Sequence, residues 1–226
     1  MTATYDLTDA AALSAALVAP GRFPTHPYGQ ASTFTADYLQ ALAHAASTMD
    51  LAAVDRAAAI LLEAYTTGAL VFSCGNGGSA AISNHLQCDH LKGVGNGTDL
   101  LPRVVSLANN VELITAIGND LGYEEVFVHQ LQSQARAGDV LLAISSSGKS
   151  PNIVKAIGWA REHGLRTIAI TGFEGGPART DAEVAVHVDC TNYGVVEDLH
   201  QAVMHSMAQY IRQSRLSAGT IATTTF

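Results

Sequence analysis

The sequence predicts an α/β fold in which an open, doubly wound and mainly parallel sheet is flanked by helices. From residue 70 onward, short apolar segments of strand length alternate with longer segments of helical periodicity. The apolar segments are continuous rather than alternating, which is typical of parallel strands buried on both faces. Ligands of such sheets lie outside the carboxyl ends of the strands, so we expect the functional residues in the loops that follow them.

The composition indicates an ordered globular protein with an acidic surface. Of the 226 residues, 48% are hydrophobic, and 12 Lys and Arg stand against 20 Asp and Glu, for a net charge of −8. Nucleic-acid binding requires clustered cations, and the absence of such a cluster disfavours that class of partner. No apolar segment has the length of a membrane span or the basic flank of a signal peptide. Three cysteines without a CxxC spacing fit a reducing cytoplasm.

The N-terminal part of the chain is predicted to be an arm followed by a helical extension. Within residues 1–30, an Ala-rich helical segment leads into a stretch in which three prolines, among residues 20–27, prevent regular structure. Residues 32–47 and 51–65 then show the three-and-four spacing of apolar residues that indicates amphipathic helices. We expect these two helices to pair either with each other or with another subunit.

The remaining predicted elements are strands and helices that largely alternate along the chain. The predicted strands cover residues 70–73, 103–108, 140–144, 166–171 and 183–188. The predicted helices cover residues 79–92, 110–117, 124–136, 153–163 and 198–215. Residues 119–123 are predicted to be a loop. We expect a single domain over residues 31–216 and a flexible, Thr-rich tail at residues 217–226.

A glycine-rich turn joins the first strand to its helix. Residues 74–78 read CGNGG, and such a turn leaves free N–H groups at a helix N-terminus, where a phosphate or a hydroxylated substrate can bind. His85 and Asp89 follow four residues apart, so on a helix they share one face within reach of a common metal ion or substrate. Two simpler interpretations stay open from these residues alone: a turn that serves packing, and a surface His/Asp pair.

A serine-rich loop follows the third strand. Ser145, Ser146, Ser147 and Ser150 surround Gly148, and Pro151 fits the first turn of the next helix. Hydroxyls and a helix N-terminus hold a phosphate without a basic residue. Helix capping would account for one of these serines but not for four. The loop has only one of the two glycines of a P-loop, so nucleotide hydrolysis is not indicated.

These motifs together resemble the sugar isomerase (SIS) domain family, and within it most closely the phosphoheptose isomerases that act on sedoheptulose 7-phosphate. The resemblance rests on CGNGGSAAISNH, on ISSSGKSPNI, on GNDLGY between them and on a terminal helix that contains His205. It extends from about residue 32 to residue 215. It implies a flavodoxin-like sheet, a cytoplasmic enzyme and a homotetramer with sites at subunit interfaces.

The resemblance also implies the residues of the site. The expected substrate contacts are Asn76, Gly77, Gly78, Asp89, Asn119, Asp120, Ser145, Ser146, Ser147, Ser150 and Glu197. The expected ligands of one zinc ion per subunit are His85, Asp89, Glu197 and His205. Two of these residues depart from the family pattern, which has Glu at the position of Asp89 and Gln at that of Glu197. The shorter Asp side chain holds its carboxylate further back, and Glu197 adds a negative charge.

Helical spacing raises a question about the metal ligands. Glu197 and His205 are eight residues apart, about 12 Å on a continuous helix, which is long for two ligands of one ion. Either the helix begins after Glu197, or Gln201, four residues before His205, is the true neighbour. His200 points about 140° away from His205 and is predicted to serve packing or a subunit contact.

The expected activity is aldose–ketose isomerisation of a sugar phosphate, most closely sedoheptulose 7-phosphate to a heptose 7-phosphate. Proton transfer between C1 and C2 requires a base, an acid and an electrophile that stabilises the enediolate. We assign these roles to Asp89, His205 and zinc. The alternative is a non-catalytic SIS protein that binds a sugar phosphate as a signal or binds a partner protein.

Overall fold

The computed structural model describes residues 22–226, so the Ala-rich segment predicted within residues 1–20 lies outside the described residues. The part of the predicted arm that is described, residues 22–30, contains no helix or strand, as its prolines require. None of the helices within residues 22–226 is long and apolar enough to cross a membrane.

Five parallel strands form one sheet in the order β2–β1–β3–β4–β5. The strands are β1 (Leu70–Gly75), β2 (Arg103–Ser106), β3 (Val140–Ser145), β4 (Arg166–Thr171) and β5 (Val184–His187). The chain first adds β2 on one side of β1 and then adds β3, β4 and β5 on the other side, so the strand order reverses between β1 and β3, as in flavodoxin-like folds. The predicted α/β class, the parallel pairing and the flanking helices are therefore confirmed.

Helices cover both faces of the sheet. They are α1 (Ala31–Ser47), α2 (Leu51–Thr67), α3 (Gly78–Cys88), α4 (Val111–Asp120), α5 (Val128–Gln134), α6 (Pro151–Glu162), α7 (Gly176–Asp181), α8 (Tyr193–Gln213) and α9 (Ala218–Thr223). A π-helical turn, Asp89–Val94, continues α3, and a 3-10 turn, Tyr123–Glu125, precedes α5.

Two apolar layers explain why the strands read as continuous apolar segments. Val71 and Leu142 pack on one face with α2, α3 and α8, while their chain neighbours Phe72 and Leu141 pack on the other face with α5 and α6. Every residue of β3 is buried. Alternate side chains therefore enter different cores, and neither face of the central strands meets solvent.

The two N-terminal helices differ in what they cover. α2 lies on the sheet, where Ala57, Leu61 and Tyr65 enter the core. α1 packs on the first half of α8, and the Tyr38 hydroxyl donates a 2.6 Å hydrogen bond to Asp198. Both helices thus already have partners within their own subunit.

Several predicted helix bounds were wrong. α8 begins at Tyr193, five residues before the predicted start, because the Asn192 side chain accepts a hydrogen bond from the Val195 N–H and caps it. α4 runs on through Asn119 and Asp120, which were predicted as loop; it ends there with the Gly122 N–H donating to the Ile117 carbonyl at 3.1 Å.

Other differences concern short elements. The predicted helix at residues 124–136 divides into the 3-10 turn and α5, and the helix predicted to end before Gly93 changes to π-helix at Asp89. α7 was not predicted, because it follows two glycines and has Pro177 in its first turn, where proline is tolerated. The segment predicted as a flexible tail includes α9, which is capped by the Ser217 side chain.

Candidate active site

A cleft of about 300 Å³ opens at the carboxyl ends of β1 and β3. It is lined by Asn76, Gly77, Gly78, Ser79, Ile144, Ser145, Ser146, Ser147, Ser150, Tyr193 and Glu197. The glycine-rich turn and the serine loop, which are some 70 residues apart in the chain, therefore meet in one cleft, as the sheet topology predicts. The start of α8 forms its third wall.

Two contacts shape the glycine-rich turn: the close approach of the Glu197 carboxylate to Gly78, and a pair of hydrogen bonds between the Asn76 and Asn152 amides. A Cβ atom at Gly78 would lie 2.3 Å from Glu197 Oε2, so only glycine allows this carboxylate to reach the start of α3. Asn76 and Asn152 exchange two amide hydrogen bonds of 2.9 Å, which tie the turn to α6. The Tyr123 hydroxyl donates to Asn76 at 3.1 Å from the other side.

The serine loop leaves hydroxyl groups available to a ligand. Ser150 stands at the N-cap of α6 but makes no side-chain capping hydrogen bond, so the simple capping interpretation does not hold for it. Ser146 Oγ is buried and has no hydrogen-bond partner within the described part of the chain. Buried hydroxyls normally find partners, which makes this atom a strong candidate for ligand binding. Lys149 pairs instead with Glu174 at 2.6 Å.

Beyond the cleft, α3 and α8 bring two imidazoles and a carboxylate together. His85 Nε2 lies 3.3 Å from Asp89 Oδ2 and 3.2 Å from His205 Nε2, and His205 Nε2 lies 3.4 Å from Asp89 Oδ2. Tetrahedral zinc with ligand bonds near 2.0–2.1 Å requires ligand atoms about 3.3 Å apart. The three predicted ligands therefore fit a zinc ion by both chemistry and spacing.

The other predicted ligand, Glu197, is not part of this cluster within residues 22–226. α8 is already helical at Glu197, which rules out a helix start after it, and Gln201 instead lies beside His205, with Nε2 atoms 2.8 Å apart. The Glu197 carboxylate faces Gly78 in the cleft. Partial burial, followed by the neighbouring Asp198 charge, raises the pKa of Glu197.

Asn119 and Asp120 do not line the cleft as the structure describes it over residues 22–226. They lie exposed in the last turn of α4, where the Asn119 amide donates to Asp120 at 2.7 Å. Their role as substrate contacts stays a prediction. Tyr123, which follows them, is the residue of this region that does reach the site.

A buried pair behind the site was not predicted from the sequence. The His90 imidazole is fully buried, and its Nδ1 lies 2.5 Å from the Tyr65 hydroxyl, which fixes the π-helical turn that begins at Asp89. Burial lowers the pKa of His90 to about 4, so the ring is neutral at pH 7. The feature of the sequence that could have indicated this pair is that His90 directly follows Asp89, a predicted metal ligand.

Comparison with known proteins supports the same picture. Residues 34–172 match the SIS domain family model. The phosphoheptose isomerase of Akkermansia muciniphila is 39% identical over 79% of this chain and 91% of its own length. The solved phosphoheptose isomerase GmhA from Neisseria gonorrhoeae superposes with a TM-score of 0.72 at 30% identity, covering 80% of this chain and 96% of that one. The Francisella tularensis phosphoheptose isomerase gives 0.71 at 28% identity with the same coverage.

Proposed function

Because the chain belongs to the SIS domain family, we propose that it is an aldose–ketose isomerase that converts sedoheptulose 7-phosphate into a heptose 7-phosphate. The main support is the joint presence of a cleft lined by serine hydroxyls and a glycine-rich turn and of the His85–Asp89–His205 cluster along the same two helices. His85 lies seven positions after Gly78 on α3, which corresponds to about 10 Å along the helix axis. A phosphorylated sugar can span such a distance with its reacting end at the cluster.

The phosphate group is held by the serine loop. Its hydroxyls and the N–H groups at the start of α6 donate hydrogen bonds, and the helix dipole favours the negative charge. The unpartnered Ser146 hydroxyl gains a partner when the phosphate binds. Because Lys149 is paired with Glu174, the recognition depends on neutral donors rather than on a basic residue.

Proton transfer between C1 and C2 is assigned to Asp89 and His205. Asp89 removes the carbon-bound proton, and His205 donates a proton to the adjacent oxygen and takes one from its neighbour through a ring nitrogen that is not bound to metal. Asp89 Oδ2 lies 3.3 and 3.4 Å from the two imidazoles, and the carboxylate has a second oxygen, Oδ1, that can take the proton. The reaction returns both residues to their starting protonation states.

His85, Asp89 and His205 would hold a zinc ion, which when bound supplies electrophilic stabilisation of the enediolate oxygens. The support is the spacing of three ligand atoms of the types that zinc prefers. We expect about one zinc per subunit in protein purified without chelator. Elemental analysis measures it.

We also propose a cytoplasmic homotetramer with active sites at subunit boundaries. Family resemblance supports the assembly, and so do apolar side chains exposed beside the site: Val111 at 65%, Leu121 at 53% and Tyr123 at 57%. The free thiols of Cys74, Cys88 and Cys190 suit a reducing compartment. Light scattering on the purified protein gives the assembly mass, and a 23.6 kDa species would contradict the tetramer.

Solvent deuterium incorporation into sedoheptulose 7-phosphate, followed by NMR, tests the activity. We expect exchange at C1 and C2 in the wild type and none in Asp89→Asn, which removes the basicity and keeps the shape. Normal exchange in Asp89→Asn would exclude this base. No exchange in the wild type with any ketose phosphate would favour the non-catalytic sugar-phosphate-binding alternative.

A further inference from the structure

We propose that the N-terminal arm positions the start of α8 and thereby sets the shape of the cleft wall that this helix forms. The acting groups are residues 22–30 together with Phe34 and Tyr38 of α1, which we call the strap. The inference rests on the proposed function for the identity of the sugar phosphate. Residues 22–30 precede residue 34, where the match to the SIS domain family begins.

Aromatic packing anchors the strap on α1. The Phe23 side chain is only 6% exposed, and its ring centroid lies 5.0 Å from that of Phe34 and 5.8 Å from that of Tyr38. The Tyr28 ring lies 5.2 Å from Phe34, and its hydroxyl donates to Asp37 at 2.7 Å. Tilted and edge-to-face ring contacts stabilise a structure beyond the area that they bury. The arm is therefore fixed against α1.

Three contacts join the strap to the first two turns of α8. Asn192 Nδ2 donates to the Phe23 carbonyl at 3.0 Å, while Oδ1 of the same side chain caps the helix. A Cβ atom at Gly194 would lie 2.9 Å from the Tyr38 hydroxyl, so α8 approaches α1 as closely as a glycine allows. The Tyr38 hydroxyl donates to Asp198 at 2.6 Å. One amide thus both caps α8 and joins it to the arm.

The residues of α8 that contact the strap are the chain neighbours of the residues that line the cleft. Tyr193 lies between Asn192 and Gly194, and Glu197 directly precedes Asp198. Tyr193 and Glu197 are the two residues of α8 in the cleft lining. A shift of this part of the helix therefore moves both cleft residues, because each shares a peptide bond with a residue that the strap contacts.

The His85–Asp89–His205 cluster is remote from the strap. His205 follows Glu197 by eight residues, about 12 Å along α8, and contacts α3. The serine loop belongs to a different wall of the cleft and has its own backbone support. We therefore expect the strap to determine affinity for the sugar part of the substrate more than kcat or affinity for phosphate.

Two mild variants of the full chain remove strap contacts. Asn192→Ser keeps an oxygen that caps α8, since Ser and Asn are equivalent N-caps, but its side chain is too short to reach the Phe23 carbonyl as well. Tyr38→Phe keeps the ring in the aromatic cluster and removes the hydrogen bond to Asp198.

Each variant has a matched control. Asn110→Ser makes the same change at the N-cap of α4, where the Asn110 side chain accepts from the Leu113 N–H. Tyr210→Phe makes the same change at an exposed position further along α8.

Amide hydrogen exchange, followed by mass spectrometry on a peptide covering residues 193–199, measures whether the start of α8 is fixed. Exchange there should be faster in both strap variants than in the wild type, because it follows local opening of the helix. It should be unchanged in both controls. The α4 peptide, residues 111–117, shows in Asn110→Ser what the change of cap does by itself.

Isothermal titration calorimetry then measures binding, which requires no turnover. The Kd for sedoheptulose 7-phosphate should rise about threefold to tenfold in each strap variant, the effect of about one hydrogen bond. The Kd for inorganic phosphate and kcat should stay near the wild-type values. A general loss of folded structure would instead weaken the binding of both ligands alike.

Three results would overturn the inference. They are unchanged hydrogen exchange at residues 193–199 in both strap variants, sugar-phosphate affinity equal to that of the controls, and an equal loss of affinity for phosphate and sugar phosphate. A wild type that neither binds nor converts sedoheptulose 7-phosphate would contradict the proposed function instead. In that case the exchange rates still decide whether the strap fixes the start of α8.

Discussion

At the residue scale, the Ser146 hydroxyl is the most informative single atom of the cleft. It is buried without a partner among the described residues, so the unliganded protein bears the desolvation cost of that group. We expect Ser146→Ala to leave the free energy of unfolding equal or higher, because an unsatisfied hydroxyl is removed. The same change should weaken sugar-phosphate binding by about 1.5–3 kcal/mol, the range for a hydrogen bond to a charged group.

Urea unfolding and isothermal calorimetry measure these two effects. Ser133→Ala serves as the control, because its hydroxyl donates to the Gln130 carbonyl on α5, outside the cleft. Equal substrate affinity in Ser146→Ala and wild type would remove this serine from the phosphate site.

A second prediction at this scale concerns His187 at the end of β5. Burial, and then the charge of Arg179, lowers the pKa of His187, and the charge of Asp189 partly opposes this shift. His200 also faces the His187 ring, and the Thr171 hydroxyl lies 3.0 Å from its Nδ1. The folded pKa is below the unfolded one, near 6.5, so the unfolded state takes up a proton first. Stability should therefore fall as pH decreases from about 6.5 through the folded pKa.

His187→Gln should flatten this dependence. The free energy of unfolding, measured in urea at pH 7.5 and 5.5, should differ less between the two pH values in the variant. The contribution of one such histidine is at most about 1.4 kcal/mol per pH unit. An unchanged pH dependence would show that His187 titrates alike in both states.

At the element scale, the π-helical turn after α3 positions Asp89. Single π-helical turns within α-helices are rare and frequently occur at functional sites. Here the Tyr65 hydroxyl on α2 contacts His90 Nδ1, which fixes the turn from the core side. Asp89, the first residue of the turn, contacts the two imidazoles instead.

Tyr65→Phe should therefore affect both stability and turnover. It leaves His90 Nδ1 buried without a partner, and we expect a loss of about 1–3 kcal/mol in the free energy of unfolding. We expect kcat to fall more than KM changes, because the base is displaced while the serine loop is untouched. Tyr210→Phe, an exposed Tyr→Phe change on α8, is the matched control. Wild-type kcat in folded Tyr65→Phe would contradict a positioning role.

The sequence predicted the regular elements well and their ends less well. Continuous apolar segments predicted all five strands, because a buried parallel strand is apolar on both faces. The start of α8 was wrong because Gly194 weakens helical propensity, whereas the Asn192 cap and packing against α1 overcome it. α7 was missed because a short helix after two glycines has too few residues for a periodic pattern.

At the scale of the whole molecule, the site divides into a predictable and an unpredictable part. Local motifs predicted the glycine-rich turn and the serine loop, since each supplies its own backbone geometry. Tertiary contacts could not be predicted this way: the Asn76–Asn152 pair joins residues 76 apart, and the Tyr65–His90 pair joins α2 to the π-helical turn after α3. The positions of Glu197 beside Gly78 and of Gln201 beside His205 required the register of α8 against α3, which only the packed structure gives.

The serine loop is supported by the loop that follows β4. Gly148 has a φ of +63°, and a Cβ there would lie 1.7 Å from the Gly175 carbonyl oxygen in the loop after β4. The Ala178 N–H donates to the Gly148 carbonyl at 3.0 Å, so the loops after β3 and β4 are packed backbone to backbone. Neither loop can move without displacing the other.

Gly148→Ala should thus separate these loops, destabilise the protein by about 3 kcal/mol or more and abolish substrate binding, because positive φ and a backbone clash act together. Gly158→Ala makes the same chemical change in mid-α6, where a Cβ would meet nothing within 4 Å. It should stabilise the protein by about 0.5–1 kcal/mol through helix propensity. Urea unfolding of the two variants gives both values. If Gly148→Ala is as stable as Gly158→Ala, or if Gly148→Ala binds substrate with full affinity, the serine loop does not depend on its contact with the loop after β4.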